Sequence, residues 1–211
     1  SVSLTQIAPH AKNKWMQLYI FKDLARTKKH IELIEKNGFT TLVVTVDTPV
    51  MGIRDSENMN KFTDERVKID PPKHSKKVES GIGNFFNQTY NSTLDWGVVK
   101  WLKSFTKMSI VLKGIHRPDD AIKAVHAGAD GIIVSNHGGR QIDSAPSGIM
   151  MLKPIVEALK REGLYDKIEV FMDGGIRRGT DVFKALAFGA KAVFIGRPVL
   201  WGLQVGGKEG I

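Results

Sequence analysis

Cysteine is absent from the 211-residue sequence, which excludes disulfide bonds and thiolate metal sites. No uninterrupted apolar run approaches the roughly 18 residues of a membrane-spanning helix, so we expect no membrane span. The opening stretch, SVSLTQIAPHAKNK, has no apolar segment followed by a small-residue cleavage site, and we expect no secretory signal there. With 42% hydrophobic and 25% charged residues, the composition is that of a globular protein.

The formal net charge of +9 is compatible with binding either nucleic acid or anionic small molecules. The lysines are spread over predicted helices, and the one dense run, KHSKK (73–77), falls in a predicted loop without interleaved aromatic residues. A solvated loop surface explains that run better than a nucleic-acid site. We therefore expect anionic small molecules rather than nucleic acid as partners.

Short β-branched runs alternate with amphipathic stretches along the chain. The predicted strands are 15–20, 41–46, 109–113, 131–135, 168–172 and 192–195, and the predicted helices are 22–36, 94–104, 118–126, 148–161 and 180–188. Three helix-to-strand junctions, EKNGFTTLVV, VHAGADGIIV and LAFGAKAVFI, each carry a glycine suited to a left-handed helix cap. This alternation predicts a single α/β domain over 1–211, with a parallel sheet and helices outside it.

One connection, 48–93, is too long for a simple strand-to-helix loop and is polar. Loops of this length in compact domains are commonly functional lids or disordered segments. We expect part of it to be mobile.

Residues capable of chemistry or binding stand where each predicted strand ends. They are Gln17, Tyr19, Thr45, Asp47, Lys113, Ser135, His137, Asp173, Gly196 and Arg197. The carboxyl ends of parallel strands lie on one face of such a fold, which is where its sites are built. Six successive strand ends of this kind are hard to explain as caps alone and predict a functional site.

Two of these strand ends are suited to phosphate. DGGIRRGTD (173–181) runs from a strand through glycines into a helix N-terminus, and IGRP (195–198) places a glycine and an arginine after the next strand. A dinucleotide fingerprint is the competing interpretation, but the spacing of GGIRRG does not fit G-x-G-x-x-G and it comes late in the chain.

These segments together resemble the FMN-dependent α-hydroxyacid oxidases and dehydrogenases. The resemblance is carried by SNHGGRQID, VTVDTPVMGIR, VLKGI, DGGIRRGTDVFKALAFGA and FIGRP, and it runs from about 15 to about 207. It implies a (β/α)8 TIM barrel, FMN as cofactor, and oxidation of a small 2-hydroxy acid to the 2-oxo acid. It leaves oxygen and a cytochrome open as electron acceptors, of which we expect oxygen. It further implies a tetrameric or octameric homo-oligomer, and a peroxisomal location in eukaryotic members or a cytoplasmic one otherwise.

The resemblance also implies roles for individual residues. His137 matches the base that abstracts a proton, Asp47 the carboxylate that pairs with it, and Lys113 the cation beside the flavin. The substrate-binding positions are Tyr19, Arg54 and Arg140. The FMN-binding positions are Gln17, Thr45, Lys113, Ser135, Asp173, Gly174, Gly175, Arg177, Gly196 and Arg197, and no metal site is expected.

The chain departs from the family in having six predicted strands rather than about eight. We therefore expect an incompletely represented barrel that lacks the first two strands and the C-terminal helix. The alternative to an active oxidase is a catalytically incompetent, FMN-binding or structural fragment of one. A barrel like that of type 2 isopentenyl-diphosphate isomerase is less well supported, because its chemistry needs no carboxylate site built from a histidine and two arginines.

Overall fold

The computed structural model describes residues 3–53, 59 and 81–211. Arg54 and the basic run 73–77 fall outside these ranges, as does much of the segment expected to be mobile. Six strands form one sheet: β1 (Trp15–Leu18), β2 (Thr41–Thr45), β3 (Ser109–Ile115), β4 (Gly131–Val134), β5 (Glu169–Asp173) and β6 (Ala192–Phe194). The helices are α1 (Leu4–Ile7), α2 (Leu24–Lys36), α3 (Gly81–Thr89), α4 (Gly97–Lys103), α5 (Pro118–Ala127), α6 (Gly148–Arg161), α7 (Gly179–Ala187) and α8 (Arg197–Gly206).

The strands pair in parallel and in sequence order from β1 to β6. The sheet curls on itself, because the Trp15 ring of the first strand lies 5.2 Å from the Phe171 ring and 5.4 Å from the Phe194 ring, centroid to centroid. These contacts join the first strand to the fifth and sixth across the concave face. The predicted six-stranded part of a TIM barrel is confirmed, and within the described ranges β1 pairs only with β2 and β6 only with β5.

Two apolar clusters follow from the two-residue period of the strands. The larger lies between the convex side of the sheet and the helices, and includes Ile31, Leu42, Ile110, Ile132 and Leu159. The smaller fills the concave side with Val43, Val111, Ile133 and Phe171, against which Trp15 and Phe194 pack. Side chains two positions further along these strands must therefore point into the upper part of the barrel interior.

The three predicted helix-to-strand junctions have the expected backbone. Gly38, Gly128 and Gly189 have φ values of 74°, 87° and 101°, in the left-handed region that a helix-ending glycine supplies. Each glycine lets the chain reverse from helix into strand within a few residues.

Other boundaries differ from the sequence prediction. The segment 48–93 was expected to be a long loop, and α3 (Gly81–Thr89) lies within it. Helix α8 follows β6 where no helix was predicted, and β1 ends at Leu18, so Tyr19 lies just beyond the strand. In the ranges that the structure covers, no helix combines the length and apolar character needed to cross a bilayer.

Candidate active site

A layer of polar side chains lies above the small apolar cluster of the barrel interior. Each member follows a cluster residue by two positions on its strand: Thr45 after Val43, Lys113 after Val111, Ser135 after Ile133 and Asp173 after Phe171. Gln17 follows Trp15 in the same way and donates a hydrogen bond from Nε2 to Thr45 Oγ1 at 2.9 Å. The strand period thus brings five predicted site residues onto one interior surface.

Lys113 is the cation of this layer. Its Nζ lies 3.3 Å from Ser135 Oγ and 3.5 Å from Asp173 Oδ2, and the Lys113 and Asp173 side chains are each 18% exposed. Asp173 Oδ1 is buried and has no hydrogen-bond partner among the described residues. An unpartnered buried carboxylate oxygen beside a cleft is suited to a ligand hydroxyl group, since a buried acceptor is costly to leave unsatisfied.

The histidine stands in a tight turn directly after β4. Gly139 N donates to Asn136 O at 3.1 Å, and the two central residues, His137 and Gly138, have φ values of 58° and 66°. Positive φ at both central positions is what a type I′ turn requires. The left-handed conformation of His137 was not predicted from the sequence, and it is uncommon for any residue other than glycine.

Contacts with Ser135, Asp47 and Thr48 fix the position of His137. Its backbone N–H donates to Ser135 Oγ at 3.0 Å, and its Nδ1 lies 2.8 Å from Asp47 Oδ1. Thr48 Oγ1 lies 3.2 Å from both His137 Nδ1 and Asp47 Oδ1. The His137 and Asp47 side chains are only 16% and 14% exposed. An ionised carboxylate only accepts hydrogen bonds, so the proton of a neutral His137 sits on Nδ1 and Nε2 is left as the proton acceptor.

A cleft of about 220 Å³ opens beside this pair at the carboxyl ends of the strands. Its lining includes Lys113, His137, Arg140, Asp173, Gly174, Gly175, Arg177, Gly196 and Arg197. Arg177 lies over the Trp201 ring at 4.6 Å, and Arg197 Nη2 donates to Gly138 O at 2.7 Å. Both arginines were expected among the FMN-binding positions, and Arg197 also reaches the residue next to the histidine.

The loop between β5 and α7 is fixed by Asp181. One Asp181 oxygen, Oδ2, accepts hydrogen bonds from the backbone N–H groups of Arg177 at 3.0 Å and Arg178 at 2.9 Å. These two hydrogen bonds, that from Arg177 first, lower the pKa of the Asp181 carboxyl below its usual value. The carboxylate therefore holds the glycine-rich segment in a fixed shape at the start of α7.

Tyr19 lies outside the lining of this cleft, in an aromatic cluster built by α3. Its ring packs edge-on against Phe86 at 4.9 Å and lies 5.2 Å from Tyr90. Tyr19, Thr45 and Thr48 line a neighbouring cavity of about 50 Å³. Thr48 lines this cavity and contacts His137, which lines the larger cleft.

The structure thus brings together all of the described residues predicted for the site, in two adjoining groups. Tyr19 and Thr45 line the smaller cavity, and Gln17 is hydrogen-bonded to Thr45. The remaining described site residues line the larger cleft, except Asp47 and Ser135, which contact His137 and Lys113 of that lining. Arg54 lies outside the described ranges. Sequence reasoning missed Thr48, which is adjacent to Asp47, and the aromatic residues Phe86, Tyr90 and Trp201. The position of Thr48 beside a predicted site residue was a usable signal; the aromatic contacts depend on packing that no local pattern reveals.

Comparison with known proteins identifies the family. A family model described as FMN-dependent dehydrogenase matches residues 1–211. The chain belongs to this family. It is 45% identical over 213 residues to 2-hydroxyacid oxidase 1 of Mus musculus, covering 94% of this chain and 55% of that protein. It is 42% identical over 202 residues to peroxisomal (S)-2-hydroxyacid oxidase GLO3 of Arabidopsis thaliana, covering 94% and 54%.

A crystal structure of mandelate oxidase superposes with a TM-score of 0.86 at 40% identity, covering all of this chain and 58% of that one. This agreement confirms the barrel as the fold. The chain spans about half the length of the curated relatives it matches.

The cofactor of the FMN-dependent dehydrogenase family is FMN, and the residues present fit it. The buried Asp173 Oδ1 lacks a partner in the described ranges, and a Cβ added at Gly175 or Gly196 would enter open space beside the arginines of the cleft. A phosphate needs cations and backbone N–H groups, which Arg177, Arg197 and the glycine-rich loop offer. Lys113 supplies a further positive charge to the same cleft, beside Ser135 and Asp173.

Proposed function

We propose that the protein to which this chain belongs oxidises a small 2-hydroxy acid to the 2-oxo acid. The observation that carries the proposal is the His137–Asp47 pair, which opens into the same cleft as Lys113 and Arg140. This cleft combines a base, a carboxylate-binding cation and a site suited to FMN.

The oxidation removes two electrons and two protons from the substrate. We assign one proton to His137 Nε2, the ring nitrogen that the contact of Nδ1 with Asp47 leaves as acceptor. FMN, when bound, would accept the two electrons together with the second proton, which leaves one negative charge on the reduced ring. Asp47 stabilises the imidazolium that forms. Thr48 fixes the carboxylate and the ring relative to each other through its two 3.2 Å contacts.

The substrate carboxylate requires an anion-binding group close to the base. Arg140 follows His137 by three residues and lines the same cleft, so we assign it to that carboxylate, where its planar guanidinium can form two parallel hydrogen bonds. We assign Arg54 to the same carboxylate on the sequence resemblance alone. Tyr19, held by the aromatic cluster, is the proposed hydrogen-bond donor to the substrate.

For FMN we propose three groups of contacts. Gln17, Thr45 and Ser135 would meet the ring, with Lys113 beside the edge that becomes negative on reduction. Asp173, with Gly174, would meet the ribityl hydroxyl groups. Gly175, Arg177, Gly196 and Arg197 would bind the phosphate.

The test uses the full-length protein loaded with FMN. Anaerobic addition of glycolate, lactate or mandelate should bleach the visible flavin absorption and yield one equivalent of the corresponding 2-oxo acid. Oxygen should then restore the absorption with formation of hydrogen peroxide if oxygen is the acceptor, as we propose. An FMN-loaded protein that none of these acids bleaches would contradict the proposed function.

A second candidate applies to the 211-residue chain by itself: FMN binding or a structural role without turnover. Within the described ranges, β1 pairs only with β2 and β6 only with β5, so each has one unpaired edge. Open strand edges leave the barrel interior accessible to water, which favours this second candidate. Titration of the isolated chain with FMN, followed by flavin fluorescence, shows whether the chain binds FMN. A subsequent bleaching assay with substrate shows whether the chain that binds FMN also catalyses the reaction.

We propose a homo-oligomer, a tetramer or octamer, and a peroxisomal location if the source is eukaryotic. The second proposal is supported by the name of the Arabidopsis relative. Light scattering of the full-length protein and imaging of a fluorescent fusion that keeps both natural termini test these two points.

A further inference from the structure

The side chain of Gln141 joins the loop after β2 to the histidine loop after β4. Its Nε2 donates to Asp47 O at 3.1 Å and to Val50 O at 3.0 Å, and its Oε1 accepts from Gly52 N at 3.0 Å. Both amide hydrogens and one carbonyl lone pair are therefore used on backbone groups of one loop. The two carbonyl acceptors also fix which end of the amide is nitrogen.

The same two loops touch at a second point. A Cβ added at Gly52 would collide with the backbone carbonyl of Arg140, so the loop after β2 lies directly on the residue that precedes Gln141. Glycine is required there by close approach rather than by backbone conformation. The absence of a side chain at Gly52 lets the two loops pack closely, and the three hydrogen bonds of Gln141 fix their relative position.

The Asp47–His137 pair spans this junction. Its carboxylate comes from the loop after β2 and its imidazole from the loop after β4, and the 2.8 Å contact between them depends on the relative placement of the two loops. Gln141 bonds the backbone carbonyl of Asp47 itself. A shift of that backbone by even 1 Å would lengthen the contact beyond hydrogen-bonding range.

We infer that Gln141 is a positioning residue for the reaction, acting through Asp47 on the orientation of His137. This inference rests on the proposed function for its kinetic consequence. Its structural content, that Gln141 holds the Asp47–His137 hydrogen bond, is independent of which substrate the protein uses.

The kinetic test is a double-mutant cycle in the FMN-loaded, full-length protein. Gln141→Met keeps the side-chain length and removes all three hydrogen bonds, and it should lower the rate of flavin reduction by about 10- to 100-fold, because small misplacements of a reacting group cost rate on that scale. In an Asp47→Asn background the same change should cost less than about 2-fold, because the residue it acts through is already lost. Equal factors in both backgrounds, or an unchanged rate in the single variant, would overturn the inference.

Two further variants guard against a general structural effect. Gln141→Glu keeps the bond to Gly52 N but cannot donate to Asp47 O or Val50 O, so it should also reduce the rate; wild-type activity would exclude the two donated bonds as the cause. Asn37→Leu removes a comparable amide-to-backbone bond, from Asn37 Nδ2 to Leu33 O at the end of α2, and should leave the rate unchanged.

A spectroscopic measurement separates this inference from the proposed function. The Nδ1 proton of His137, shared with Asp47, should give a low-field proton NMR resonance that is absent in His137→Asn. The resonance should be lost or broadened by exchange in Gln141→Met and retained in Asn37→Leu. If no 2-hydroxy acid is oxidised but the resonance behaves in this way, the proposed function fails and the inference stands; a resonance unaffected in Gln141→Met overturns the inference.

Discussion

The left-handed backbone of His137 predicts a measurable difference between two substitutions that both remove the imidazole. With φ at 58°, a residue that carries a Cβ pays about 1 to 2 kcal/mol relative to glycine in this conformation. Glycine gains more freedom in the unfolded chain, which offsets roughly 0.4 to 1 kcal/mol of that difference. His137→Gly should therefore be more stable than His137→Ala by about 0.5 to 1 kcal/mol.

The assay is denaturant unfolding of the FMN-loaded, full-length variants, compared at equal denaturant slopes. The matched control is the adjacent Asn136, whose φ is not in the left-handed region, so Asn136→Gly should be less stable than Asn136→Ala. If His137→Ala were as stable as His137→Gly while the control pair behaved as expected, the left-handed turn would be refuted.

Three further predictions concern the surroundings of the site. Asp181→Ala should weaken FMN binding, measured by fluorescence titration, and lower the free energy of unfolding at neutral pH. Because the pKa of Asp181 is lowered in the folded state, the ionised carboxylate stabilises the fold at pH values above the usual pKa of an aspartate. The stability difference between wild type and variant should therefore vanish as the pH falls through that lowered pKa. Phe86→Ala should destabilise the protein by about 3 to 5 kcal/mol, since Phe86 is only 5% exposed, and it should raise KM because Tyr19 loses the ring that holds it. The control is Phe85→Ala, at the 43% exposed neighbour, which should change neither the stability nor KM. Arg140→Lys should raise KM and lower kcat for every 2-hydroxy acid tried, because an ammonium group cannot form the paired hydrogen bonds of a guanidinium, and unchanged constants would remove Arg140 from the substrate site.

Much of the fold followed from local patterns because the interior of a barrel imposes a strict period on its strands. Val111 and Lys113 point to the concave side and alternate with the convex-side residues of a strand that is covered on both faces. The same alternation places Ser135 and Asp173. Gly38 and Gly128 were readable as helix ends because a left-handed residue after a helix strongly favours glycine.

The elements that were missed depend on tertiary contacts or on a weak local signal. Helix α3 contains two glycines and two asparagines, which disfavour a helix, and it is held by the packing of Phe86 and the following Tyr90 on Tyr19. Helix α8 begins with Arg197 and Pro198, a proline in the first turn that signals a helix start and was overlooked.

The contacts of the candidate site show the same limit. The pairing of Asp47 with His137 joins residues 90 positions apart and was available only through the family resemblance. The bond from Arg197 to Gly138 O was not anticipated at all, because the distance between two strand-end loops depends on the curvature of the whole sheet.

The central claim is that His137 Nε2 takes a proton from a 2-hydroxy acid in the cleft beside FMN. Its most direct test is the rate of flavin reduction, measured by anaerobic stopped-flow mixing of the full-length, FMN-loaded protein with substrate, in the wild type and in His137→Asn, which tolerates the left-handed backbone. The account predicts a decrease of about 10² to 10⁴ in the variant with FMN still bound. A variant that retains FMN and reduces it at the wild-type rate would contradict the account.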